Sequence, residues 1–213
     1  MDSRDIIPVL IFVIGAPLMI MAQIYLLVMK MSEPEKMIKP IAGGLSQADQ
    51  NRLLQYRDWL ASENLQLRTT FRFGPMQIIV FQHGDLPRYF LFNFHKRLTY
   101  GAESYLADLT VLDSTASNAI GLFPRPGGYA QSFPGITPQE LWRRHLEGEA
   151  HLTAKFGYHW QPMGGEYEDI LVDAARLRMQ VVRSQSFWPA RVLYRFFVTR
   201  PKLLNKTIAQ QYP

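Results

Sequence analysis

Residues 6–29 form a run of 24 positions without a charge, interrupted in polarity only by Gln23, and no second run like it occurs in the chain. As a helix the run would reach about 36 Å at about 1.5 Å per residue, enough to cross a hydrocarbon core of about 30 Å with some tilt. It exceeds the apolar region of a cleaved signal peptide, about 7–15 residues, and Ile20 would occupy the small-residue position three before a cut after Ala22. The pattern predicts an uncleaved transmembrane anchor over residues 1–30. Pro8 falls in its first turn, whereas Gly15 and Pro17 lie mid-span, where a proline removes a helical hydrogen bond and kinks the helix. Such a kink suits a packed neighbour, although Pro and Gly are also commoner in membrane helices than in soluble ones.

Beyond the anchor, Pro34, Pro40 and the Gly43-Gly44 pair break regular structure across residues 31–44, which reads as a linker. Ser46 with Asp49 then marks a helix start, and Leu53, Tyr56 and Leu60 recur at helical spacing as far as Asn64. From Leu67 the period changes to two, with Leu67, Thr69, Phe71 and Phe73 alternating against Arg68, Thr70 and Arg72 before a Gly74-Pro75 turn. Residues 76–83 are nearly all apolar and end at a Gly84-to-Pro87 turn, followed by a third strand over residues 88–95. Short turns make this an antiparallel meander. A fourth strand is expected near residues 106–112, with the preceding GAESYLA able to form a helical turn instead. Residues 123–138 hold four Pro and three Gly, too many breakers for a regular element, and read as an ordered loop. Thr137-Pro138-Gln139-Glu140 starts a helix running to about Phe156, and another runs from about Glu166 through Val181. The whole reads as an α+β protein: one N-terminal transmembrane helix, then an antiparallel meander sheet flanked by helices over residues 45–185, then a basic amphipathic C-terminal tail over residues 186–213.

Charge sharpens that picture. The chain carries 23 basic and 18 acidic residues, and eight of the basic ones (Arg176, Arg178, Arg183, Arg191, Arg195, Arg200, Lys202 and Lys206) fall after Asp173, where no acid occurs. The remaining fifteen against 18 acids leave the rest of the chain at −3, so it is basic only at its tail. Within that tail Trp188, Val192, Leu193, Phe196 and Phe197 interleave with Arg191 and Arg195 between Pro189 and Pro201, the pattern of a helix lying on an anionic surface. Arg4 stands alone before the apolar run, whereas Lys30, Lys36 and Lys39 follow it. Basic residues are retained on the cytoplasmic side, so the N-terminus should lie outside and the main domain in the cytoplasm. The expected contacts are anionic lipid headgroups and the subunits of an integral membrane assembly, made through Gly15, Pro17, Trp188, Arg191, Arg195, Phe196, Phe197 and Arg200. A membrane tether and the lack of any nucleic-acid motif argue against nucleic acid.

Candidate chemistry is sparse. The chain has no cysteine, which excludes thiolate nucleophiles and cysteine-held zinc or iron–sulfur centres. It contains no GxSxG, HExxH, GxGxxG or phosphate-loop spacing, and no cofactor is implied. Arg125 with Gly127 and Gly128 could present a guanidinium and backbone N–H groups to an anion, although packing of that loop over the sheet is the simpler use. His145 with Glu149, and Glu147 with His151, stand four apart, but each pair offers only two metal ligands and reads as a surface helix pair. An enzyme would need two or more of His83, His95, Asp108 and Asp113 to converge. Seven aromatics between Phe71 and Phe94 could line a ligand pocket or fill the sheet core, core packing being the commoner use. The expectation is therefore a non-catalytic accessory or scaffolding subunit of a larger membrane complex, for example an energy-transducing one. A membrane-tethered ligand-binding or sensing domain is the alternative, and an unrecognised tethered enzyme the second.

Overall fold

A computed structural model describes residues 19–23, 25–26, 33–41, 45–105, 110–118, 127–158 and 165–213. The apolar run, with Gly15 and Pro17, lies outside these residues except for 19–23 and 25–26, which are helical. Among the described residues no helix is long and apolar enough to cross a membrane.

Seven strands lie side by side in chain order: β1 (Ile38–Pro40), β2 (Leu65–Phe73), β3 (Met76–His83), β4 (Arg88–Phe94), β5 (Leu98–Tyr105), β6 (Val111–Thr115) and β7 (Gly128–Ser132). β1 through β6 pair antiparallel and β7 joins β6 in parallel, so the protein is α+β around a mixed sheet rather than a purely antiparallel meander. β1 comes from the stretch read as a linker, and its Pro40 stands on an edge strand, where a missing N–H is tolerated.

Helices cover both faces. α1 (Gln47–Leu54) and α2 (Arg57–Ser62) replace the single helix expected over that stretch, with Ser46 accepting the first-turn N–H of Asp49. Together with α3 (Pro138–Phe156) they bury the face that carries Phe90, Phe92 and Phe94, packed with Leu60, Leu141 and Trp142. α4 (Tyr167–Ser184) buries the other face through Tyr167, Ile170 and Ala174, against Phe71, Val80 and Tyr89. β4 is thus covered on both sides, which is why its sequence is almost continuously apolar instead of alternating. The chain continues through α5 (Trp188–Tyr194), a π-turn (Arg195–Thr199), α6 (Arg200–Leu203) and α7 (Ile208–Gln211).

Three further expectations need correction. The alternation at Leu67, Thr69 and Phe71 does not mark one face: a bulge between Leu67 and Thr69 shifts the register, pairing Leu67 with Phe81 but Phe71 with Ile78. Phe71 is buried under α4, while Leu67 is 62% exposed on the opposite face. The GAESY stretch belongs to β5, and the following strand is β6 at Val111–Thr115. The breaker-rich loop contains β7, because its prolines flank five residues that are free to pair. Gly127 makes the entry: it holds φ +69°, a Cβ there would stand 2.8 Å from Thr110 Oγ1, and its carbonyl accepts the N–H of Val111 at 3.2 Å.

Candidate functional site

α3 begins where the sequence says it should, with Thr137 accepting the N–H of Glu140 and Pro138 in the first turn. Its inner face carries Leu141, Trp142, His145, Gly148, Glu149 and Leu152, and so turns two titratable groups into the core. His145 and Glu149 are therefore not the expected surface pair. They belong to a connected set of buried polar groups in which each donor meets an acceptor. The Ile208 N–H donates to Gln131 Oε1 (3.1 Å), and Gln131 Nε2 donates to Ser114 Oγ (2.9 Å) and to the Arg144 carbonyl (3.0 Å). Ser104 Oγ donates to Glu149 Oε2 (2.9 Å), so it must accept from His145 Nε2 at 2.7 Å, which leaves His145 Nδ1 to accept from Ser114 Oγ at 2.8 Å. Arg88 closes the chain: its Nε donates to Glu149 Oε2 (2.8 Å), its Nη2 pairs with Oε1, and its Nη1 donates to His83 Nδ1 at 3.1 Å.

This set holds shape; it does not resemble a nucleophile relay. The carboxylate holds the serine instead of orienting the imidazole, both imidazole nitrogens are occupied, and Ser104 and His145 have no exposure. Burial, and secondarily the Arg88 charge, pushes the His145 pKa down to about 3, so the ring is neutral at physiological pH. The same two causes in the same order hold His83 below the usual imidazole range. Spacing did carry a signal for this set, since positions 141, 145, 148, 149 and 152 form one continuous helical stripe with apolar ends.

Among the described residues the other candidates do not converge. His83 faces α3, Asp113 lies on the opposite face beside Glu103, His95 is exposed past the end of β4, and Asp108 lies outside the described residues. Glu103 accepts from Tyr105 (2.8 Å) and Tyr167 (3.0 Å) next to a cleft of about 160 Å³. Arg125 also lies outside the described residues, and Gly127 and Gly128 serve to bring β7 against β6. The aromatic face of the sheet is packed, with Phe90 meeting Trp59 at 5.1 Å and Trp142 at 6.0 Å between ring centroids, and Phe92 meeting Tyr56 at 5.2 Å.

The surface feature that stands out is the helical stretch from α5 to α6. Val192 packs inward, while Phe187 is 85% exposed and Tyr194 and Phe197 are more than half exposed. Arg191 is exposed among them, Phe196 meets Phe197 edge to face at 4.9 Å, and the Arg200 guanidinium lies 4.8 Å from the Phe196 ring. Trp188 stacks on Tyr25 with ring centroids 5.9 Å apart and planes 17° off parallel. Pro201 does not end the helix as its position suggests. The N–H of Arg200 bonds the carbonyl of Arg195, five residues back, so the helix is already unwound where the proline ring must fit, and it continues to Leu203. The last residues then return to the body. Asn205 N–H donates to the Ser132 carbonyl (2.8 Å), Ile208 is fully buried against Leu112 and Leu152, and Tyr212 packs on Tyr129 at 5.1 Å. Compared with protein-family models, curated proteins and solved structures, the chain matches none.

Proposed function

We propose that this chain is a single-pass membrane protein whose α+β domain lies in the cytoplasm against the bilayer and serves as a non-catalytic accessory subunit of a larger membrane complex. The Tyr25–Trp188 stack carries this reading. Tyr25 stands four residues before the end of the apolar run, about 6 Å at about 1.5 Å per residue, so it falls near the boundary between acyl chains and headgroups. Trp and Tyr favour that boundary because their rings are apolar with one polar edge. The stack holds α5 at the same level, and the basic residues beside it suit anionic headgroups at about 1 kcal/mol each, reduced by salt. Gly15 and Pro17 are the span positions assigned to packing against a neighbouring subunit.

The deciding experiment is extraction of the tagged chain from its native membrane in mild detergent, followed by native gel migration and mass spectrometry of what travels with it. Co-migration with a defined large assembly is expected, and replacing Gly15 and Pro17 by Leu should weaken it. A chain that runs alone or as a small homo-oligomer would overturn the subunit reading. Release of the chain by alkaline carbonate would overturn the anchor.

A further inference from the structure

We propose that a cavity between the end of α4, α5 and the π-turn is a discrete site for the phosphate group of an anionic phospholipid, an inference that rests on the membrane reading above. The cavity has a volume of about 300 Å³ and a divided lining. Val182, Trp188 and Val192 form an apolar side. Arg191, Arg195 and Thr199 stand four residues apart along one side of the helix and offer two guanidinium groups and a hydroxyl. The π-turn runs over Arg195–Thr199, so it sets where these donors point, and such turns recur at functional sites.

The chemistry selects the ligand class. Guanidinium groups match the oxygens of a phosphate ester. Arg191 forms no ion pair among the described residues. Burial holds the Arg195 guanidinium below its usual range, against an opposing contribution from Tyr212. An apolar wall adjoining the donors suits the glycerol and first methylenes of a lipid better than a fully hydrated ion. Trp188 is also the residue stacked on Tyr25, which on the membrane reading puts this side of the cavity lining near the headgroup level. The oxyanion could equally come from free phosphate, and the test separates the two sources.

The full chain, extracted in a neutral maltoside detergent, is titrated with dioleoyl-phosphatidylglycerol, dioleoyl-phosphatidylcholine or inorganic phosphate and read by native mass spectrometry. One phosphatidylglycerol per chain should be retained, with affinity about tenfold above that for phosphatidylcholine. The variant R191Q/T199V should lose about tenfold in phosphatidylglycerol affinity, as expected for charge-assisted contacts, whereas K202Q/K206Q, which removes more charge but lies outside the cavity, should lose less than about threefold. T199V alone retains every charge and should still weaken retention, which keeps the test valid if the double variant misfolds. Equal weakening by the two double variants would reduce the effect to diffuse attraction and overturn the site. Equal retention of phosphatidylcholine, or occupancy by inorganic phosphate in place of lipid, would overturn the lipid assignment. None of these outcomes depends on carbonate release from native membranes, which tests the anchor alone.

Discussion

Removing Glu149 should cost far more than removing Glu149 and Arg88 together. The side chains are 5% and 14% exposed, so Glu149→Leu strands a guanidinium in the interior and takes the acceptor from Ser104. Breaking one side of a buried pair costs about 3–5 kcal/mol, and Arg88→Met should cost about the same by stranding the carboxylate. Were the effects independent, the double variant would lose about 6–10 kcal/mol, enough to unfold a domain whose total stability is about 5–15 kcal/mol. The geometry predicts instead a loss of about 1–3 kcal/mol, because no buried charge is then left behind and what goes is hydrogen bonds, those to Ser104 and His83 among them. Urea unfolding of the four proteins in one detergent, followed by tryptophan fluorescence, measures the coupling. Trp142 is a suitable reporter, since it stacks on His145 at 5.7 Å. In thermal scans the single variants should melt about 6–20 °C lower, at about 2–4 °C per kcal/mol for a chain of this size. Additive losses, or a single-variant loss below about 1 kcal/mol, would refute the claim that this pair is a buried, mutually dependent unit.

Acidification should destabilise the protein already between about pH 6.5 and 5.5, before carboxylates titrate. The folded His145 pKa, near 3, lies below the unfolded value of 6.5, so the unfolded state binds the extra proton and stability falls as pH drops, by about 1.4 kcal/mol per pH unit for one proton. His83 adds in the same direction, and H145Q should flatten the pH dependence of the urea midpoint in that window. Glu140, held down to about 2 by Arg143 and Arg144, contributes stability that is lost only at lower pH, below its ordinary 4.5. Gly127→Ala should cost about 1–3 kcal/mol in urea unfolding, since it combines positive φ with the approach to Thr110 Oγ1. Gly157→Ala shares the positive φ but meets no atom within 4 Å, and should cost less. Ile208→Ala should cost about 2–5 kcal/mol, because a fully buried side chain leaves a cavity against Leu112 and Leu152; a loss below about 1 kcal/mol would show that the C-terminal return is not held as described.

What could be read from the sequence was local. Thr137-Pro138 announced α3, Ser46 announced α1, and Gly74 and Gly84 marked the two tight turns of the meander, each with positive φ. What escaped depended on distant partners. The bulge in β2 hides behind an unbroken period of two, because Arg68 adds one residue without disturbing the alternation around it, and only the register with β3 reveals the change of face. β7 is five residues in a breaker-rich stretch, and its partner lies across a long connection. His145 and Glu149 look like a solvent pair until Ser104, Ser114 and Arg88 arrive from three different strands. The C-terminal return rests on one apolar residue, Ile208, too little to form a pattern.

Those distant contacts also determine how the basic surface is presented. The stretch from Trp188 to Leu203 follows α4 after a three-residue turn and ends where Leu204 and Asn205 meet Ser132, so both its ends are fixed to the domain. A basic segment on a loose tail would lose much conformational entropy on settling against a membrane, and the membrane would choose its orientation; a segment already held loses little. On the membrane reading, the domain therefore arrives with one face determined. Gln131 connects this to the interior, since its amide nitrogen supports Ser114 of the His145 network while its oxygen takes the N–H of Ile208 at the C-terminal return. Gly148 leaves the space for it: a Cβ there would stand 3.1 Å from Gln131 Nε2 and 3.2 Å from Ile208 Cγ1. The buried polar groups and the hold on the surface helix thus share one side chain, and loosening the first should loosen the second.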